Sequence, residues 1–261
     1  MFAYEVGSGA PVVLLHGFGL DHRSLLPLEP IFERSKGWRR IYLDLPGATL
    51  SPAGDITSSQ GIADAVVEEV SARVGDEPFA IVGNSYGGMI ARYVAHEARS
   101  RVLGLATLAG VFVAPHVERS VPPRAVLRHE PEIEQILGSA LEQYREDAVV
   151  ESTSDARAFL DHVLPGVTGA DGSALERIAG NYALEGEPEE RHPEPFTQPT
   201  LHITGRQDDV VGYSDAWSRV EHYPRASFAV LDGAGHNLLF ERHALCFALI
   251  DDWLGRVRRG Y

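Results

Sequence analysis

The sequence predicts an α/β fold: a mostly parallel sheet flanked by helices, with a helical cap inserted before the last strands. Three observations lead there. Short apolar runs that end in Gly, Asp or Asn alternate with segments of helical periodicity. That rhythm stops after Phe112 and resumes at Pro199. The 261 residues, 44% hydrophobic and 23% charged, are enough for one large core with an insertion and too apolar for a disordered chain.

Taken in order, residues 2–6 read as an antiparallel edge strand. Residues 11–16, 39–44, 79–83, Val102–Leu108, 200–204 and Ala226–Leu231 read as strands, the most apolar of them buried on both faces. Residues 62–74 and 240–253 have helical periodicity. Tyr86, Met89, Ile90, Tyr93 and Val94 fall at i, i+3, i+4, i+7 and i+8, which puts one apolar stripe on a helix that starts next to Ser85. Residues 1–112 and 199–261 are therefore expected to form the core. Residues 113–198 are expected to form the cap, placed after the sixth core strand. Within it, helices are expected near 131–147, 155–164 and 173–183, followed by a solvated return through the acidic, proline-rich stretch 185–199.

Charge narrows the function classes. With 23 Lys+Arg against 37 Asp+Glu the chain carries −14, which disfavours nucleic acid and anionic membrane as partners and leaves a small molecule. The residues set no oligomeric state. Cys246 is the only cysteine, so there can be no intramolecular disulfide, four-thiolate site or CxxC pair. With no HExxH motif either, neither a metal nor an organic cofactor is expected. The amino terminus lacks the basic start and apolar stretch of a signal peptide, and the longest apolar run, 102–115, is broken by Thr107 and too short to span a membrane. A reducing cytoplasm is the expected location.

Gly83-Asn84-Ser85-Tyr86-Gly87 matches G-x-S-x-G, between an apolar strand and a helix. A strand-turn-helix of this kind holds its central residue in strained geometry, and the flanking positions must be small. Ser85 is the candidate nucleophile. A serine hydroxyl needs a base to take its proton and an acid to orient that base. Gly233-Ala234-Gly235-His236 follows the last apolar run, so His236 is the candidate base. The acid falls in Gly205-Arg206-Gln207-Asp208-Asp209, since the loop after the preceding strand, 108–112, has no carboxylate. Local residues leave Asp208 and Asp209 both open. Asp232 reads as a turn residue. Two backbone N–H groups are expected to receive a developing oxyanion, those of Tyr86 and of Phe18 in His16-Gly17-Phe18-Gly19. His16 reads as a residue that fixes this loop.

The order HGFG, DLPG (residues 44–47), GNSYGG (83–88), GRQD (205–208) and GAGH (233–236) resembles the capped α/β-hydrolases, over residues 12 to 236. The resemblance implies Asp208 as the acid, because that family's acid lies three residues after the glycine of GRxD. It also implies a serine hydrolase acting on a small ester or related acyl compound through an acyl-enzyme. Thr49 stands where the family often has glycine. Asn84 is similar to the elbow of the C–C bond hydrolases of aromatic ring-fission products, but Asn237 stands where those enzymes commonly carry an aromatic residue. The scaffold also implies aminopeptidase or peracid chemistry as lesser alternatives, and, from another class, a ligand receptor with weak or no hydrolysis.

Overall fold

A computed structural model describes residues 1–260. Five strands come first: β1 (Ala3–Gly7), β2 (Ala10–Leu15), β3 (Trp38–Leu43), β4 (Phe79–Asn84) and β5 (Val102–Leu108). An insertion follows, with a two-residue pair, β6 (Arg128–His129) and β7 (Val150–Glu151), and then β8 (Thr200–Gly205) and β9 (Ala226–Leu231) complete the main sheet. Its order is β1-β3-β2-β4-β5-β8-β9, with β1 antiparallel to β3 and the other pairings parallel. Residues 12–15 of β2 and 79–82 of β4 are fully buried, because helices cover both faces of the sheet.

Helices α1 (Glu29–Arg34), α2 (Ser59–Val74) and α3 (Tyr86–Glu97) precede the insertion. Ser58 starts α2 by accepting the Gly61 N–H at 3.1 Å, a cap that contributes about 1 kcal/mol. The insertion holds α4 (Ile133–Leu137), α5 (Leu141–Arg145), α6 (Thr153–Ala158), α7 (Leu164–Gly169), α8 (Gly172–Ala179) and α9 (Pro188–Arg191). After β8 come α10 (Ser214–Ser218), α11 (Leu238–Glu241) and α12 (His243–Arg259). Residues of α4 to α6, with Tyr144, Phe159 and Val163, form a small apolar core apart from the main one.

Several expectations need correction. The insertion follows the fifth strand, not the sixth. The helix expected over 131–147 is broken at Gly138, whose φ of 53° no continuing helix adopts. The segment 155–164 passes through a π-helical stretch, Phe159–Val163, before α7. The helix expected over 240–253 is two helices, separated at Arg242 (φ −128°, ψ 38°). The pair β6·β7 was not foreseen, since two-residue strands carry no period.

The acidic return is the largest correction. Residues 185–199 are not solvated throughout, because α9 packs on α3 and buries Pro188 and Glu189. Arg92, fully buried on α3 outside the apolar stripe read from the sequence, donates to Glu189 at 2.9 and 2.5 Å, to Glu187 at 2.8 Å and to the Val111 carbonyl at 2.9 Å. Tyr223 adds a bond to Glu189. Burial works to raise the Glu189 carboxyl, and the Arg92 charge and these hydrogen bonds outweigh it, so the group lies well below the usual carboxylate range. Glu189→Gln keeps the shape and removes the charge beside a buried guanidinium. It is expected to lower the unfolding free energy by about 3 kcal/mol. The same change at half-buried Glu187 should cost less than about 1 kcal/mol. Urea unfolding checks both, and equal losses would remove the argument.

Candidate active site

The carboxyl ends of β2, β4, β8 and β9 lie along one edge of the sheet, where open parallel sheets bind their ligands. Each carries one of the loops singled out in the sequence. At the end of β4, Ser85 adopts φ 52° and ψ −117°, a conformation that costs a non-glycine residue about 1–3 kcal/mol. Its neighbours must be glycine: a Cβ on Gly83 would collide with the Gly87 carbonyl, and one on Gly87 with the Leu15 carbonyl. The turn therefore presses against β2 and aims the Ser85 hydroxyl away from the sheet. Asn84 steadies it by donating to the Leu108 carbonyl at 3.0 Å.

His236 Nε2 lies 2.8 Å from Ser85 Oγ, and its Nδ1 lies 3.0 Å from Asp208 Oδ2. Asp208 is fully buried, and its other oxygen accepts the N–H groups of Val210 and Val211, both at 2.9 Å. Asp209 faces elsewhere, with Oδ2 at 3.8 Å from Arg124 and Oδ1 buried without a hydrogen-bond partner among the described residues. Burial opposes the charged imidazolium of His236. The charge and hydrogen bond of Asp208, helped by Asp147, outweigh burial and raise its pKa above 6.5. Asp232 is bonded to Gln207, not to His236.

Phe18 and Tyr86 flank Ser85. Among the described residues no acceptor meets either backbone N–H. Their rings are 5.2 Å apart, and Tyr182 from the insertion closes a three-ring cluster with them at 5.5 and 5.2 Å. His16 accepts the Leu45 N–H at 2.8 Å, which ties the Phe18 loop to the loop after β3. In that second loop Thr49 donates to Asp21 at 3.1 Å and packs where a side chain on Gly169 would stand, so the departure at position 49 has become a contact with α7.

Ser85 and His236 open into a cavity of about 370 Å³. Sequence reasoning missed its walls. Phe159, Val163 and Leu175 from the insertion give it one apolar wall, while Gln143, Glu146, Arg119 and Asp147 give it a polar one, with Arg119 and Asp147 near His236. Arg119 is held by three carbonyls, those of Val113, Ala114 and Val210, at 2.8 to 3.0 Å. No motif marks these positions.

Comparison with known proteins gives a consistent setting. The chain is 24% identical to a pimeloyl-[acyl-carrier protein] methyl ester esterase of Shewanella woodyi, over 97% of this chain and 96% of that protein. It is 27% identical to a 2-hydroxy-6-oxononadienedioate/2-hydroxy-6-oxononatrienedioate hydrolase of Cupriavidus pinatubonensis, over 96% and 89%. In structure it resembles an alpha/beta superfamily hydrolase from Oenococcus oeni, with a TM-score of 0.90 at 24% identity over 98% of this chain and 96% of that one. The family model described as "Alpha/beta hydrolase family" matches residues 12–249, from the second strand into the last helix. With the shared fold along nearly the whole chain, that match assigns it: the chain belongs to the alpha/beta hydrolase family.

Proposed function

We propose that the protein is a serine hydrolase that cleaves a small ester or a related acyl compound, with Ser85 as nucleophile, His236 as base and Asp208 as the acid that orients it. The observation that carries this reading is the unbroken contact from Ser85 Oγ through His236 to Asp208, across three strand ends. In the proposed reaction His236 Nε2 takes the Ser85 proton as Oγ attacks the acyl carbon. The carbonyl oxygen becomes an oxyanion received by the Phe18 and Tyr86 N–H groups. His236 then returns the proton to the departing alcohol, leaving an acyl-enzyme, and water repeats the sequence to release the acid and free Ser85. No metal or cofactor has a part in these steps.

We further propose that residues 113–198 are a cap over this site. The separate apolar core of the insertion and its share of the cavity wall support that role, in which the cap excludes water and sets which acyl groups fit. The unpaired, buried Cys246 fits a reducing location, the cytoplasm. Among the described residues, no helix is long and apolar enough to cross a membrane.

Relatives named as esterases support the ester reading, and the 27% identical dienedioate hydrolase keeps C–C cleavage as the second. Fluorophosphonate labelling together with turnover of p-nitrophenyl esters and a panel of dienoate ring-fission products tests them. Labelling with brisk ester turnover supports the first, turnover confined to the dienoates supports the second, and labelling without turnover points to a ligand receptor. The raised pKa of His236 adds a pH dependence. The base must be neutral to accept the proton, so kcat/KM is expected to fall as pH drops through a value above 6.5. An acid limb that does not move down in Asp208→Asn would contradict the Asp208–His236 pairing.

A further inference from the structure

Glu241 ends α11, five residues after His236, and the sequence gives no sign of what it does. Its carboxylate is partly buried, and among the described residues it has no ion pair. It accepts three backbone N–H groups instead. Oε2 takes that of Gly235 at 2.6 Å, the residue just before the candidate base. Oε1 takes those of Val149 and Val150, at 2.6 and 3.0 Å, from the insertion. Burial pushes the carboxyl up, and these N–H groups act against that rise.

The two segments that share this carboxylate also touch directly. A Cβ on Gly235 would fall 2.5 Å from a Val149 methyl and 3.1 Å from the Asp147 carbonyl, so only glycine lets the insertion lie on the loop at this point. The rest of the loop is held from the opposite side. Gln207 accepts the Gly233 and Ala234 N–H groups at 3.0 and 3.3 Å, which ties them to the Asp208 loop. Thus three successive N–H groups before His236 are taken by two side chains, and of these two Glu241 is the one that also bonds to the insertion.

We infer that Glu241 is a positioning residue for His236: one carboxylate joins the catalytic loop to the 149–150 segment, so that seating of the cap and alignment of the imidazole with Ser85 occur together. The inference rests on the reading of Ser85, His236 and Asp208 as a catalytic triad. Glu241 does not touch the imidazole, which is faced by Asp208, Asp147 and Arg119. It acts by fixing where the preceding peptide stands. Glutamine cannot replace it, since an amide has one acceptor oxygen. Its NH2 would face either the Gly235 N–H or the Val149 and Val150 N–H groups, donor against donor.

The test is Glu241→Gln, measured by kcat and KM on p-nitrophenyl esters, by the rate of fluorophosphonate labelling, and by the pH–rate profile. A displaced imidazole is expected to lower kcat and the labelling rate together by about 10²-fold with KM nearly unchanged. The acid limb should also move down, because His236 loses the Asp208 bond that raises it. Unchanged labelling overturns the inference, as does a change confined to KM or to thermal stability, which would mark Glu241 as a structural prop of the cap. If the glutamine variant does not fold, Glu241→Asp carries the test. It keeps both acceptor oxygens on a stem one methylene shorter, which cannot reach Gly235 and the 149–150 segment at once, and a parallel fall of about tenfold in kcat and labelling is expected. Unchanged labelling there overturns the inference equally. Wild-type protein that fluorophosphonate does not label defeats the triad reading itself, whereas a labelled wild type with an equally reactive variant defeats only the role of Glu241.

Discussion

Replacing Ser85 with alanine is expected to lower kcat by about 10³–10⁶-fold, the range seen when a triad nucleophile is lost. The strained turn does not depend on the hydroxyl. Alanine at φ 52° carries the same backbone strain as serine, and the glycines that permit the turn, Gly83 and Gly87, are untouched. The one bond removed is that to His236 Nε2, which faces the cavity and can meet water in its place. Stability is therefore expected to change by less than about 1 kcal/mol. Ester turnover and thermal unfolding of the same preparation check both halves. A variant keeping more than a tenth of wild-type activity would show that Ser85 is not the nucleophile.

The parts of this site that are legible in the sequence are those where backbone sterics restrict the residue. Gly83 and Gly87 must be glycine because two carbonyls leave no room for a Cβ, and the loop that carries His236 after β9 takes φ 68° at Gly233 and lies against Val149 at Gly235. Such demands leave a pattern at fixed spacing. The cavity wall makes no such demand. Phe159, Val163 and Leu175 need only be apolar and face inward, and they come from a π-helical stretch and from a separate short helix, α8, which starts after α7 ends at Gly169.

Polar partnerships across distant segments were the least visible. Residues 185–199 look like a solvated run because Glu, Pro and Arg usually stay in water, and nothing local shows that Arg92, 97 residues before Glu189, is buried beneath them. Glu241 is hidden for the same reason, since its partners are backbone N–H groups, which any residue supplies. The choice between Asp208 and Asp209 also could not come from the two residues, because adjacent carboxylates on one loop are chemically alike. The hydrogen bonds that separate them form only in the folded loop.

That separation predicts unequal variants. Asp208→Asn is expected to lower kcat by about 10⁴-fold, and Asp209→Asn to leave it within about twofold. At position 208 one oxygen accepts the Val210 and Val211 N–H groups, and the other faces His236 Nδ1. An asparagine must keep its single carbonyl oxygen toward the two N–H groups, since its NH2 there would oppose two donors. The NH2 then points at Nδ1 and forces that nitrogen to accept. The proton of the neutral ring moves to Nε2, the atom that must take the proton of Ser85, so the base is held in the wrong tautomer. No such constraint exists at position 209, where one oxygen has no hydrogen-bond partner among the described residues and the other lies 3.8 Å from Arg124. Steady-state kinetics of the two variants, with unfolding curves to exclude a loss of structure, decide the matter. The reverse ranking in kcat would transfer the role of the acid to Asp209.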